Sequence, residues 1–288
     1  MRHLREYLWP ESTNGALEML RMRPGRGAFL AGGTALVLQG DPQLDYVVDI
    51  SRLGLDGIRT DARGLHLGAT LTLERLLASR EARARADGIL AQAVERTRSS
   101  PWRRQATLAG RLLEGDPNDL VLPALLVQEA DARVLRASGA QPQTLALEAA
   151  LSACRGEPVL VLEIGLGARP GWRFALESLS RTALDAPMAA VVVGVGVHDG
   201  TVGEARIATC GLGPARAPGA ERAVVGLRLD TGTFAGPQEA VSADIQPASD
   251  HRCSREYREH LARVLLGRAL RRALSRGSSE GGDGATPS

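Results

Sequence analysis

The chain has 288 residues, 44% of them hydrophobic, enough to form two domains with a core each. All 35 basic residues are arginine, the net charge is only +2, and there are three each of Trp, Tyr and Phe; this excludes a broad electrostatic footprint or a base-stacking platform for nucleic acid. Cys154, Cys210 and Cys253 lack CxxC spacing, which excludes zinc and iron–sulfur sites and a disulfide framework, and the charged opening segment 1–10 has no signal peptide or membrane span, so the expected location is cytoplasmic.

Ser12 or Thr13 is placed to cap a helix whose apolar positions Ala16, Leu17, Met19 and Leu20 recur at helical spacing, and Pro24-Gly25 stops it. From Ala28 to Gln39 an apolar strand runs through Gly32-Gly33-Thr34 into an apolar helix, and Tyr46 to Ile50 is a second strand. Strand, helix and strand make a compact parallel unit. Its paired glycines let the backbone approach a ligand and present N–H groups to an oxyanion. Gly-Gly ahead of a helix is in most chains a plain tight turn, so this motif does not decide alone.

Leu65 to Thr70 alternates and then turns, ahead of a helix over Leu73 to Ala86 with Leu73, Leu76 and Leu77 on one face and arginines on the other. His66, alternating with leucines, is expected to face solvent. Ser99 to Arg111 reads as a polar, Gly-bearing loop, followed by a helix with Asp116 as N-cap, Pro117 as first residue and Asp119 suited to the helix dipole. Strands are expected at 133–136 and 159–164, and a domain boundary at Gly165 to Gly171. Asp199-Gly200 between Ala189–Val197 and Ala205–Cys210 is a hairpin signal. Helices are expected over Glu221–Leu227 and Ser254–Leu274, the latter with Tyr257, Leu261, Val264 and Leu265 on one face. The arginines between 250 and 276 read mostly as a solvated face, a fraction of them available to an acidic partner. Residues 276–288 are expected to be disordered.

Together these stretches resemble the FAD-binding medium subunit of the molybdenum hydroxylases, the group of xanthine dehydrogenases and aerobic carbon monoxide dehydrogenases. Leu30-Ala31-Gly32-Gly33-Thr34 looks like that family's first flavin loop, Leu67-Gly68-Ala69-Thr70 like its Ile-Gly-Ala segment, Ala106 to Arg111 like its Ala-Thr-Ile-Gly-Gly-Asn loop, and Asp119-Leu120 like its Asp-Leu. Residues 181–193, 205–213 and 252–270 are similar to its carboxy-terminal domain. The resemblance implies an α+β protein. A two-subdomain PCMH-type FAD-binding domain spans 1–168, and a smaller carbon monoxide dehydrogenase flavoprotein C-terminal type domain, with an antiparallel sheet and helices, spans 172–275. FAD would lie between the subdomains, contacted by Leu30, Ala31, Gly32, Gly33, Thr34, Ala35 and Leu36 from the first loop and Thr107, Leu108, Ala109, Gly110 and Arg111 from the second, with Asp119 near the ribityl or ring end. No acid–base catalyst is implied. The implied partners are a molybdenum-cofactor large subunit and a [2Fe–2S] small subunit, with NAD, oxygen or another acceptor receiving the electrons.

The second loop departs from the family in three places, with Arg104 for Asn, Ala109 for the first Gly and Arg111 for Asn. A positive φ at Ala109 would cost about 1 kcal/mol, whereas an arginine at 111 is able to clamp a diphosphate bidentately. Two functions are therefore open on these residues: a flavin electron-transfer subunit, or a flavin-poor scaffold or assembly subunit with the same fold.

Overall fold

The computed structural model describes residues 4–137, 139, 141–182, 185–213, 215–230 and 232–275, so the expected tail at 276–288 lies outside the described residues. The chain divides into two units, Met1–Ala168 and Arg169–Ser288.

The first unit opens with β1 (Glu6–Leu8) and α1 (Thr13–Met22). Ser12 is the cap of α1, its hydroxyl accepting the Gly15 N–H at 3.0 Å, and Ala16 and Leu17 form the buried face. β2 (Gly27–Leu30), α2 (Leu36–Gln39) and β3 (Tyr46–Asp49) follow. These strands pair in parallel in the order β1-β3-β2, so the strand–helix–strand reading holds, with β1 as an unforeseen third strand.

Next come β4 (Ile58–Asp61), β5 (Gly64–Gly68), α3 (Leu73–Ala78), α4 (Arg80–Ala84), α5 (Ile89–Glu95), α6 (Ser100–Arg103), α7 (Leu108–Glu114), α8 (Val121–Leu126), β6 (Asp131–Arg136), β7 (Gln143–Ala146), α9 (Leu147–Gly156) and β8 (Val159–Gly167). Their sheet is antiparallel with order β4-β5-β8-β6-β7. Leu65 and Leu67, two apart on β5, are fully buried, as are Leu73 and Leu76 of α3, Ile89 of α5 and Leu125 of α8. Each such side chain contributes about 1.5–3 kcal/mol. A second cluster joins the two sheets: Ala16, Leu17, Tyr46, Val48 and Ile50 pack with Leu135, Leu160 and Leu162. This seam sets the distance between the loop after β2 and the second sheet.

Three expectations are corrected here. The helix over 73–86 is broken at Ser79, whose backbone is extended and whose hydroxyl accepts the Ala82 N–H at 3.1 Å to start α4, a serine bonding locally in place of continuing the helix. The stretch 99–111 is not a loop but contains α6 and the start of α7. Asp116 caps no helix: its carboxylate accepts the Asn118 N–H at 2.9 Å, and α8 begins five residues later at Val121.

The second unit holds β9 (Trp172–Leu179), β10 (Ala189–His198), β11 (Thr201–Cys210), α10 (Pro218–Val224), α11 (Ala235–Asp244) and α12 (Arg255–Ser275). The strands are antiparallel in the order β11-β10-β9. Asp199 and Gly200, at φ 48° and 73°, make the hairpin turn that an Asp-Gly pair favours. α10 starts three residues before its expected position because Pro218 suits a first turn and the Asp244 carboxylate accepts the Gly219 and Ala220 N–H groups. On α12, Leu261 and Leu265 are buried but Tyr257 is 44% exposed, off the expected face. Arg258 is not on a solvated face either: it is buried, donates to the carbonyls of Met188 and Gly211 at 3.0 and 2.6 Å, and pairs with Asp250 at 2.7 Å.

Candidate functional site

A cleft in the first unit lies between the loop after β2 and the start of α7, and Val159, Leu160 and Val161 of β8 complete its wall. Of the residues singled out in the sequence, Leu30, Ala31, Gly32, Gly33, Thr34, Ala35, Leu36, Thr107, Ala109 and Gly110 line this one cleft, whereas Leu108, Arg111 and Asp119 do not. Leu108 is fully buried in the core. Ile50, Ala69, Leu113 and Glu114 also line the cleft and were not anticipated. Strand patterning marks Val159–Val161 as core without showing that their far end meets the first loop.

Gly33 turns the chain at φ 71°, and α2 closes its first bond from the Val37 N–H to the Gly33 carbonyl at 3.0 Å. The N–H groups of Gly32, Gly33, Thr34, Ala35 and Leu36 meet no acceptor among the described residues. Such a row of successive free amides is a nest for anionic oxygens. Gly32 has a different role: a Cβ there would collide with the Gln105 carbonyl oxygen, so its missing side chain lets the two loops clasp.

The second loop is pinned by the Leu108 and Ala109 N–H groups, which donate to the carbonyls of Leu71 and Ala69 at 2.9 and 3.0 Å. The Gly110 N–H meets no acceptor among the described residues. The Thr107 hydroxyl is buried and without a partner, and a Cβ at 110 would lie 2.7 Å from it, so the missing side chain of Gly110 avoids crowding that hydroxyl. An unpaired buried hydroxyl costs about 1–3 kcal/mol, a cost that a ligand oxygen removes. Ala109 lies in α7 and is absent from the positive-φ residues. The strain expected of an alanine at this position is not incurred.

Arg111 points away from the cleft. Only 2% exposed, it donates through Nε to Asp119 at 2.5 Å, pairs with Glu114 and with Asp116, and stacks over the Trp102 ring at 5.0 Å. Asp119 is buried beside it and accepts the Val121 N–H at 2.5 Å. Burial pushes the Asp119 carboxyl above its ordinary value while Arg111 pulls it back. The Arg111 guanidinium is thus taken up by carboxylates of its own loop, and neither Arg111 nor Asp119 lines the cleft. By pairing with Glu114, Arg111 also neutralises the carboxylate that does line it.

His66 does not face solvent. Its ring nitrogens lie 2.9 Å from Glu163 Oε1 and 2.9 Å from Asp61 Oδ1, with its side chain 13% exposed, and the contact holds the Asp61 carboxyl down at about 2. The alternation correctly put it on the face opposite Leu65 and Leu67, but the acids on β4 and β8 cover that face. The cysteines are all free. Among the described residues no helix is long and apolar enough to cross a membrane.

Residues 2–164 match the family described as the FAD binding domain in molybdopterin dehydrogenase, and residues 174–273 match the CO dehydrogenase flavoprotein C-terminal domain. The chain is 25% identical over 278 residues to the glyceraldehyde dehydrogenase medium chain of Sulfolobus acidocaldarius, covering 92% of this chain and 96% of that one. It is 27% identical over 283 residues to the carbon monoxide dehydrogenase medium chain of Hydrogenophaga pseudoflava, covering 94% and 97%. A solved structure of a carbon monoxide dehydrogenase from Hydrogenophaga pseudoflava, lacking the Mo-pyranopterin moiety of the molybdenum cofactor, is similar with a TM-score of 0.85 at 26% identity over 95% of this chain and 98% of that chain.

Proposed function

Since the chain belongs to the FAD-binding medium subunits of the molybdenum hydroxylase family, we propose that it is the flavin electron-transfer subunit of such a complex, with FAD seated in the cleft between the two loops. One observation carries this reading: the free N–H row from Gly32 to Leu36 faces the Gly110 N–H and the unpartnered Thr107 hydroxyl across a single cleft. That donor set suits a diphosphate. The apolar lining from Phe29, Leu36, Ile50 and Leu160 suits a ring and excludes water from it. Glu114, which would repel phosphate, is paired with Arg111.

Bound FAD would supply electron exchange between [2Fe–2S] clusters of a small subunit, fed by a molybdenum-cofactor large subunit, and NAD or another acceptor. The chain's own residues bind and orient: amides at 32–36 and 110 take phosphoryl oxygens, and Thr107 completes the set. No side chain is asked to move a proton, and no catalytic residue is assigned. Domain limits of 1–168 and 172–275 and a cytoplasmic location belong to the same reading, the latter in keeping with three unpaired cysteines. The flavin reading is preferred to the flavin-poor alternative because, of the three departures at Arg104, Ala109 and Arg111, Ala109 is unstrained and Arg111 lies outside the cleft.

The test is the visible spectrum of the purified chain. Flavin absorption bands, or their recovery with equimolar uptake when FAD is added to colourless protein, are expected. A chain without bands that takes up no FAD refutes the reading.

A further inference from the structure

On the far side of the Gly32–Gln105 clasp lies a second, polar compartment, lined among others by Gly32, Thr70, Thr72, Arg75, Arg104 and Thr107. Two hydroxyls there, on Thr70 and Thr107, are buried without a partner, on residues only 6% and 5% exposed. Both line the compartment.

Two arginines, Arg75 and Arg104, line this compartment, and Arg103 and Arg111 belong to the same stretch of chain as Arg104. Arg75 pairs with Asp56, Arg103 with Glu74, and Arg111 with Asp119. Arg104 alone of the four makes no close ion pair among the described residues, its charge acting only at longer range on Glu74, which Arg103 already pairs. Its place is set by the backbone, because the Gln105 carbonyl sits against the Gly32 Cα and Arg104 is one residue earlier. Arg104 thus lines the same compartment as Ala31 and Gly32, where the free N–H row starts.

We propose that Arg104 is an added anchor for FAD, its guanidinium closing on a diphosphate oxygen from the polar side of the clasp, a role resting on the flavin reading above. The diphosphate is favoured over the flavin ring because the compartment shares Ala31, Gly32 and Thr107 with the main cleft. Its hydroxyls and guanidinia match tetrahedral oxygens, whereas the apolar residues suited to a ring lie on the other side. A planar guanidinium meets a phosphate bidentately, and Arg104 is exposed, so its replacement leaves the core intact.

The experiment uses the full chain, stripped of flavin and titrated with FAD by fluorescence quenching, as wild type, Arg104→Asn and Arg104→Lys, with the flavin midpoint potential measured on each loaded protein. At low ionic strength Arg104→Asn is expected to raise Kd about tenfold, the size of one charge-assisted contact, with Arg104→Lys in between. The gap should shrink at about 0.5 M salt, where screening is strong, and the midpoint potential should not move. Equal Kd values for wild type and Arg104→Asn overturn the anchor. So does a shifted potential at unchanged Kd, which puts the guanidinium at the ring. A wild-type chain that takes up no FAD overturns the flavin reading and the anchor with it, which separates the two failures.

Discussion

Replacing Arg111 by Asn, the residue of the family pattern, tests whether this arginine is a strut or a ligand clamp. The guanidinium holds three carboxylates, but they are not equally dependent on it. Glu114 and Asp116 have side chains 19% and 22% exposed and are able to turn to water, whereas Asp119 is 4% exposed. Only Asp119 is stranded. Removing one partner of a buried pair costs about 3–5 kcal/mol, and with a single carboxylate left behind the lower end, about 3 kcal/mol, is expected. For a unit of this size that is a fall in midpoint temperature of about 6–12 °C. The pH dependence has a defined sign. Burial already raises the Asp119 carboxyl, and losing Arg111 raises it further. The variant's deficit is therefore largest at neutral pH, where the stranded group must ionise or bind a proton at a cost, and shrinks as pH falls and protonation becomes free. Thermal unfolding of the full chain at several pH values, with Asp119→Asn and the double variant, completes a cycle in which the double variant recovers most of the loss. FAD affinity of the folded variant should stay within about threefold of wild type, well under one lost charge-assisted contact. A large loss of FAD affinity with an unchanged midpoint would refute the strut and restore the clamp.

The two glycines of the first loop should fail differently. Gly32→Ala drives a methyl into the Gln105 carbonyl, forcing the loops apart at about 1–3 kcal/mol, so flavin stoichiometry after gel filtration should fall sharply. Gly33→Ala meets nothing nearer than Leu30 Cδ1 at 3.4 Å and suffers only its φ of 71°, about 1 kcal/mol; a larger flavin loss in Gly33→Ala than in Gly32→Ala would contradict the clasp. On the acid side, His66 holds the Asp61 carboxyl at about 2 against an ordinary 3.8. A depressed carboxyl stabilises the fold above its unfolded value and loses that contribution as pH falls, here between about 4 and 2. His66→Leu should flatten the decline of midpoint temperature across that window, and an unchanged slope would show that the contact carries no stability.

What the sequence could show depends on how local each feature is. Ser12 and Asp199-Gly200 were legible because a cap and a two-residue turn are decided by their own neighbours. The strand–turn–helix over 27–39 was legible for the same reason: a strand, two glycines and an apolar helix lie close together in the chain. Ser79 was misread because a serine inside an apolar 3.6-residue period looks tolerable until its hydroxyl finds the Ala82 N–H. His66 and Arg258 were misread because their partners, Glu163 and Met188, lie far along the chain, and no periodicity reports a partner brought in by sheet order.

The second loop shows why a motif departure is not by itself a broken site. Counted against the family pattern, Ala109 and Arg111 look like two losses in three residues. In the fold they sit on the first turns of α7, where a left-handed residue is not needed and where position 111 faces inward toward Asp119. The side chain at 109 only has to be small, since its amide is already given to Ala69. The arginine at 111 fills a buried position with its own counter-charges from 114, 116 and 119. The groups that face the cleft are backbone amides and the Thr107 hydroxyl, and neither departure removes one of them. A site built from main chain is insensitive to side-chain identity so long as the main chain is held. On the proposal made above, the departure that bears on the ligand is then Arg104, which adds a charge to the compartment across the Gly32–Gln105 clasp.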